Sequence, residues 1–323
     1  MKLLTAVTRI LAAGALICIV GPAIAQQDYP IKPINFLIPF PPGTGNDVVG
    51  RIVANKLSEY IGQRVIADNR AGASGNIAVG LAHRAAPDGY TLVMASTSAS
   101  INQYTMKENY PLADFTPVAR IGFLPYTLVV TKSMPAKNIK ELAALMKSGQ
   151  DRYNAASGGP TGTSFFLVES FKKAAGFDIQ MVAYKGTTAA VVDLLADRTH
   201  ILFAPMVTSL PHYRAGKIQV LGVTGSKRSP LMPDVPTFIE SGYPTLDIPT
   251  WFALLGPAGV PGDVVKRLSA SVAKVMASKD VIDSLTKVGV DPSFGTPAEL
   301  DAFLKADTAM WAKMVKEAGI KPQ

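Results

Sequence analysis

The sequence predicts an α/β protein built as two lobes, each a doubly wound sheet. Short apolar runs alternate with helix-like segments along almost the whole chain. The runs are continuously apolar, as parallel strands covered on both faces are. This β-α-β-α rhythm then breaks twice, in long extended stretches that would let the chain leave one lobe, build a second and return. Two domains also suit the chain length.

INFLIPF at 34–40 reads as the first strand, with a helix over 47–61. RVIADN at 64–69 and a helix over 75–86 repeat the pair, and TLVMAS at 91–96 is the third strand. The first break is FTPVARIGFLPYTLVV at 115–130. Asn138-Ile139-Lys140-Glu141 then starts a short helix that Gly149 ends. In the second lobe YNAAS (153–157) leads to a helix ending at 175, and IQMVAY (179–184) to one ending at 196. HILFAP (200–205) and IQVLGVTG (218–225) follow. The second break, PTLDIPTWFALLGPAG at 244–259, is extended and proline-rich. Thr296-Pro297-Ala298-Glu299 is a capping box with proline at the first helical position. Leu300, Phe303, Leu304, Trp311, Met314 and Val315 then recur at helical spacing until Gly319. The chain thus divides into a first lobe of 26–125 with 248–323, onto which the C-terminal helices pack, and a second lobe of 126–247.

The first 25 residues stand apart. Lys2 and Arg9 precede an apolar run that ends in Ala23-Ile24-Ala25, the pattern of a secretory signal peptide, too short to span a membrane. Cleavage there leaves 298 residues with no cysteine, because Cys18 goes with the signal, and a balance of 30 basic against 24 acidic side chains. A cysteine-free exported protein is held by its core. The basic excess is scattered, without the basic and aromatic runs that grip nucleic acid.

Loops that follow the carboxyl ends of parallel strands share one edge, where ligands settle. The candidates are 39–47, 71–76, 96–102, 157–164, 184–188 and 204–209. In PFPPGTGND (39–47) prolines stiffen the approach while Gly43 and Gly45 let the backbone turn and present bare amides to an anion. The helix behind adds unpaired N–H groups and the positive end of its dipole. SGGPTGTS (157–164) repeats the design in the other lobe, with Thr161, Thr163 and Ser164 as hydroxyl donors. Two facing seats of this kind suit a small carboxylate. Asp47 reads as an N-cap, Lys185 as a group that steers anions, Trp251 as a sensor of closure and Trp311 as helix packing.

Other chemistries lack their residues. Gly43-Thr44-Gly45 has Val48 where a dinucleotide motif needs its third glycine, and neither glycine loop ends in GK[ST]. His83, His200 and His212 have no metal-ligand spacing, and no G-x-S-x-G elbow is present. Neither a cofactor, a metal nor an enzymatic reaction is expected; the alternative readings are a ligand-binding module of a sensor system and a periplasmic hydrolase whose Ser, His and Asp are assembled only by the fold.

Three blocks carry a family resemblance: YPIKPINFLIPFPPGTGNDVVGR, NRAGASGNIAVGLAHRAAPDGYTLVMAS, and YKGTTAAVVDLLADRTHILFAP with LPHYRAGKIQVLGVTGSKRSPLMPDVPTFIESGYP. In this order, and across essentially the whole mature chain, they resemble the Bug (Bordetella uptake gene) proteins, the extracytoplasmic solute receptors of tripartite tricarboxylate transporters. The resemblance implies a type II periplasmic-binding-protein fold whose two lobes, joined by crossing strands, close on a ligand. It implies a periplasmic, monomeric protein that hands a small organic carboxylate to membrane permease subunits. Its site residues would be Phe40, Pro42, Gly43, Thr44, Gly45, Asn46 and Asp47 in the first loop, with Ser96 and Thr97 nearby. In the second lobe they would be Ser157, Thr161, Gly162, Thr163 and Ser164. Two positions depart from the family. Phe165 stands where many members have histidine, and Ala204 where many have aspartate. The departures imply a more apolar pocket and an aliphatic or aromatic acid without an α-ammonium.

Overall fold

The computed structural model describes residues 29–149 and 152–322. The expected signal peptide lies outside them. The first sheet begins with β1 (Ile34–Ile38), α1 (Gly45–Ile61), β2 (Val65–Asn69), α2 (Asn76–His83), β3 (Thr91–Ser96), α3 (Thr97–Thr105) and β4 (Phe115–Leu124). Pro125 alone separates β4 from β5 (Tyr126–Thr131), which belongs to the other sheet. There the chain builds α4 (Ile139–Ser148), β6 (Asn154–Ser157), α5 (Thr163–Ala175), β7 (Gln180–Ala183) and α6 (Thr187–Leu195). β8 (Ile201–Pro205), α7 (Met206–Arg214) and β9 (Ile218–Val223) complete it. The chain returns through β10 (Thr250–Pro257) to α8 (Gly262–Ala277), α9 (Lys279–Lys287), β11 (Asp291–Gly295) and α10 (Pro297–Glu317).

The strand orders are β11-β4-β10-β3-β1-β2 and β7-β6-β8-β5-β9. The apolar runs predict parallel pairing, and the sheets are in fact mixed. β1 pairs parallel with β2 and β3, and β6 with β7 and β8. The crossing strands run the other way: β10 is antiparallel to β3 and β4, and β5 to β8 and β9. A strand arriving from the opposite lobe enters from the far edge, so its direction reverses. A run of apolar residues is the same in either direction.

Local chemistry sets the element ends. β1 stops at Ile38 because prolines 39, 41 and 42 have no N–H to give a ladder. Gly62, at φ 82°, closes α1 and donates to the Ser58 carbonyl at 3.3 Å. Asn138 caps α4 through the Glu141 amide, and Thr296 and Glu299 form the expected capping box of α10. The loops expected at 96–102 and 204–209 are instead the first turns of α3 and α7, and α7 accommodates Pro211 internally.

The core has two main centres. Phe36, Leu57, Leu92, Leu254, Leu268 and Val272 pack between the first sheet and helices α1 and α8. Phe166, Phe171, Phe203 and Phe238 fill the second. The last helix serves both sheets. Leu300 and Leu304 pack with Trp251 and Phe115, while Trp311 and Val315 join the core of the second sheet. The C-terminal helices therefore pack back on the first lobe only in part. No described helix is long and apolar enough to cross a membrane.

Candidate functional site

Between the two sheets lies a cavity of about 70 Å³. One side is made by Phe40, Thr44, Gly45 and Asn46 at the start of α1, by Ser74 ahead of α2, and by Ser96 and Ser98 at the start of α3. The other is made by Gly158, by Gly162, Thr163 and Ser164 at the start of α5, by Gly186 and Thr187 at the start of α6, and by Pro205 ahead of α7. Leu124, Tyr126, Thr250 and Phe252 of the crossing strands complete the wall. Helices from both sheets thus point their amino ends into one space. The first N–H groups of an α-helix have no acceptor within it, and the dipole puts partial positive charge there. No Asp, Glu, Lys, Arg or His is among the described residues lining the cavity.

The first loop is braced from inside. Asp47 is buried in the first turn of α1, not at its cap, a position that belongs to Thr44. Its carboxylate accepts from the Gly43 amide at 3.0 Å, Arg51 Nε at 2.8 Å and Asn69 Nδ2 at 2.8 Å. This corrects two expectations: Asp47 does not line the cavity, and the Gly43 amide is already committed. Gly43 takes φ +81°, a left-handed turn natural to glycine, and with Pro42 stays outside the cavity. The amides that face no helical acceptor are those of Gly45, Asn46 and Asp47. Gly45 is a glycine for space. A Cβ there would stand 2.9 Å from Leu124 Cδ2 and 3.4 Å from Val207 Cγ1 of the opposite lobe. The side-chain oxygen of Asn46 is buried and without a partner.

In the second lobe the hydroxyls are largely spoken for. Ser164 Oγ donates to the Phe203 carbonyl at 2.7 Å, and Ser157 Oγ to the Gly159 carbonyl at 2.8 Å. Ser157 and Thr161 are buried away from the cavity, the Thr161 hydroxyl without a partner. The Phe165 amide bonds the Gly162 carbonyl at 2.9 Å, which leaves the amides of Thr163 and Ser164 as the free donors of α5. The Phe165 ring packs against Phe166 and the second core, outside the cavity. Ala204 is fully buried with Leu202, on the other strand face from Phe203, and it too is absent from the wall. Thr97 sits behind the cavity, its hydroxyl accepting from the Trp251 amide at 3.2 Å. Lys185 does not line the cavity either.

Sequence reasoning missed the apolar floor. Leu124 and Tyr126 flank Pro125, and Thr250 and Phe252 flank Trp251, so alternate residues of each crossing strand face the ligand space. Period two was the available signal, but it names a face only once the register is known. Burial pushes the Tyr126 phenol above its ordinary value, with the Thr250 and Thr163 hydroxyls pulling the other way. Tyr126 is therefore a protonated donor at neutral pH. Ser74, Ser98, Gly158, Gly186, Thr187 and Pro205 fall in the candidate loops without having been singled out. His83, His200 and His212 do not line the cavity, and no group of side chains able to hold a metal occurs among the described residues.

The sequence model of the tripartite tricarboxylate transporter family receptors matches residues 49–320. The chain belongs to this family. Among relatives of this receptor, protein BugT of Bordetella pertussis is 33% identical over 97% of the chain and 98% of its own length. A solved structure of Rpa4515 from R. palustris with adipate superposes with a TM-score of 0.86 at 32% identity, covering 92% of this chain and 100% of that one. MatC (Rpa3494) from Rhodopseudomonas palustris with bound malate gives 0.81 at 28% identity, covering 89% and 100%. Such likeness over nearly the full length makes this a two-lobed α/β binding protein of the periplasmic type.

Proposed function

We propose that the chain is a periplasmic solute-binding protein that traps a small organic carboxylate between its lobes for delivery to a tripartite tricarboxylate-type transporter. One observation carries this reading. The cavity is ringed by helix N-termini from both lobes and, among the described residues, is lined by no ionisable group except the Tyr126 phenol. Such a site attracts an anion through preorganised amides, which strengthen as closure excludes water. It offers an α-ammonium no carboxylate partner, so the preference for acids without an amino group now rests on the whole wall instead of on Phe165 and Ala204.

Size narrows the class. A water centre needs about 10–15 Å³, so the cavity has room for roughly five waters, or about 150 Å³ of liquid. That suits a mono- or dicarboxylate of four to six carbons, or a benzoate-sized acid, with Phe40, Leu124 and Phe252 against its apolar stem. The bound adipate and malate of the two solved relatives support the class. We take the lobes as 26–125 with 248–323, and 126–247, because the chain changes sheet between β4 and β5 and again between β9 and β10. The family's receptor role supports export, periplasmic residence and binding without turnover, and we assign the monomer as the working unit.

A thermal-shift screen of dialysed protein against mono-, di- and tricarboxylates tests the reading, since a ligand that binds only the folded state raises Tm. The expected hits are C4–C6 dicarboxylates or benzoate-like acids, each tighter than its amino derivative by calorimetry. Tighter binding of glutamate or aspartate than of glutarate or succinate would overturn it.

A further inference from the structure

We propose that Asp307, on α10 behind the cavity, is a positioning residue that sets the geometry of the ligand site. The inference rests on the carboxylate-trap reading and adds a residue that lies outside the cavity wall. Asp307 is partly buried, and two donors converge on the same oxygen, Oδ2: Ser100 Oγ at 2.6 Å and Trp251 Nε1 at 2.9 Å. Each donor belongs to an element that forms the wall. Ser100 lies on α3, two residues beyond Ser98 of the cavity. Trp251 lies on β10 between Thr250 and Phe252, and because side chains alternate along a strand, its indole points to Asp307 while its neighbours face the ligand space.

The brace closes into a loop of contacts. The Trp251 amide donates to Thr97 Oγ1 at 3.2 Å, so α3 and β10 are tied directly as well as through the carboxylate. Four residues further along α10, Trp311 packs edge-on against Phe166 of α5 at 5.4 Å, two positions beyond Ser164 of the cavity. The Trp311 indole nitrogen faces the Asp307 carboxyl outside hydrogen-bond geometry. One turn of one helix therefore holds the rear of α3 and β10 in the first lobe and of α5 in the second. Removing the shared acceptor leaves a hydroxyl and an indole N–H without a partner, and the Thr97–Trp251 bond alone then holds the rear of α3 against β10 less firmly.

Both tryptophans of the chain, Trp251 and Trp311, belong to this cluster, which gives the test a spectroscopic signature. The experiment compares full-length mature protein with D307L, D307N and S100A. It measures calorimetric affinity for the tightest acid of the carboxylate panel, well below each Tm, and the tryptophan emission change on binding. Because both donors meet one oxygen, the amide carbonyl introduced by D307N can replace it, whereas the hydrocarbon side chain of D307L cannot. D307L is expected to weaken binding by about tenfold or more and to alter the ligand-induced emission change, with D307N restoring affinity to within about threefold. S100A, which keeps the acceptor and loses one donor, is expected to weaken binding about two- to fivefold, and it decides the matter if D307L does not fold. Equal affinity of S100A or folded D307L and the unmodified protein would overturn the positioning role, as would a D307N as weak as D307L. No binding of any acid by the unmodified protein would instead overturn the reading of the site.

Discussion

Gly45 opens the first helix of the site with Leu124 of the cavity floor packed against it, so adding a single methyl there tests the trap. A Cβ would stand 2.9 Å from Leu124 Cδ2, which is 1% exposed on the cavity floor and has little room to turn aside. It would also stand 3.4 Å from Val207 Cγ1, at the start of α7 on the opposing side. Overpacking of this kind costs about 1–3 kcal/mol, while the helix preference of alanine over glycine returns at most about 1 kcal/mol. Over the upper half of that range the remainder is about 1–2 kcal/mol, and it falls mainly on the ligand-bound form, because Leu124 can yield only into the cavity that the ligand fills. At about 1.4 kcal/mol per decade, the dissociation constant of Gly45→Ala should rise about five- to thirtyfold. Calorimetry with the tightest acid of the panel reads this, and denaturant unfolding of the unliganded protein should change by less than about 1 kcal/mol. An affinity within twofold of the parent would overturn this, since the methyl would then have found room that a filled cavity does not have.

Asp47→Ala removes the acceptor shared by the Gly43 amide, Arg51 and Asn69, and is expected to destabilise the protein by about 2–3 kcal/mol in urea unfolding and to weaken ligand binding. Phe165→His is expected to leave the order of ligand preference unchanged in the same screen, because that ring packs on Phe166 outside the cavity. Asp307 carries a pH signature. Burial holds its carboxyl above the ordinary carboxylate range, with the Ser100 and Trp251 donors and the nearby Trp311 indole N–H acting against that rise. Its stability contribution is therefore full below the unfolded pKa of about 3.8 and is lost as pH rises through the folded value. Asp307→Asn removes this loss, so its stability relative to the parent should increase from pH 4 to pH 7. A constant difference across that range would contradict the assignment.

Much of the fold is legible in the sequence because the apolar runs and caps are local. Ile34–Ile38, Thr91–Ser96 and Ile201–Pro205 fall where continuous apolar runs place them, and Thr296 with Glu299 caps the last helix as its spacing requires. Strand direction is not local, so the apolar runs of β10 and β5 give no sign that these strands run against their neighbours. The serine-rich start of α3 and the internal Pro211 of α7 concealed two helices whose amino ends help to ring the cavity. The glycine loops were legible as turns with exposed amides, and Phe40, Thr44, Gly45, Asn46, Ser96, Gly162, Thr163 and Ser164 do meet at one cavity. Which amides are free was not legible, because Asp47 claims Gly43 and Gly162 claims Phe165 only in the folded chain. Leu124, Tyr126, Thr250 and Phe252 depend on the register of two crossing strands, which joins residues more than a hundred positions apart.

A crystal structure of the protein with its tightest acid tests most directly whether backbone amides of both lobes hold the ligand. The expected result is a carboxylate oxygen about 2.7–3.2 Å from an amide nitrogen among Gly45, Asn46 and Asp47, with an amide of Thr163 or Ser164 engaging the same ligand directly or through one water. A ligand carboxylate paired with a lysine or arginine, or seated away from the N-termini of α1 and α5, would contradict it.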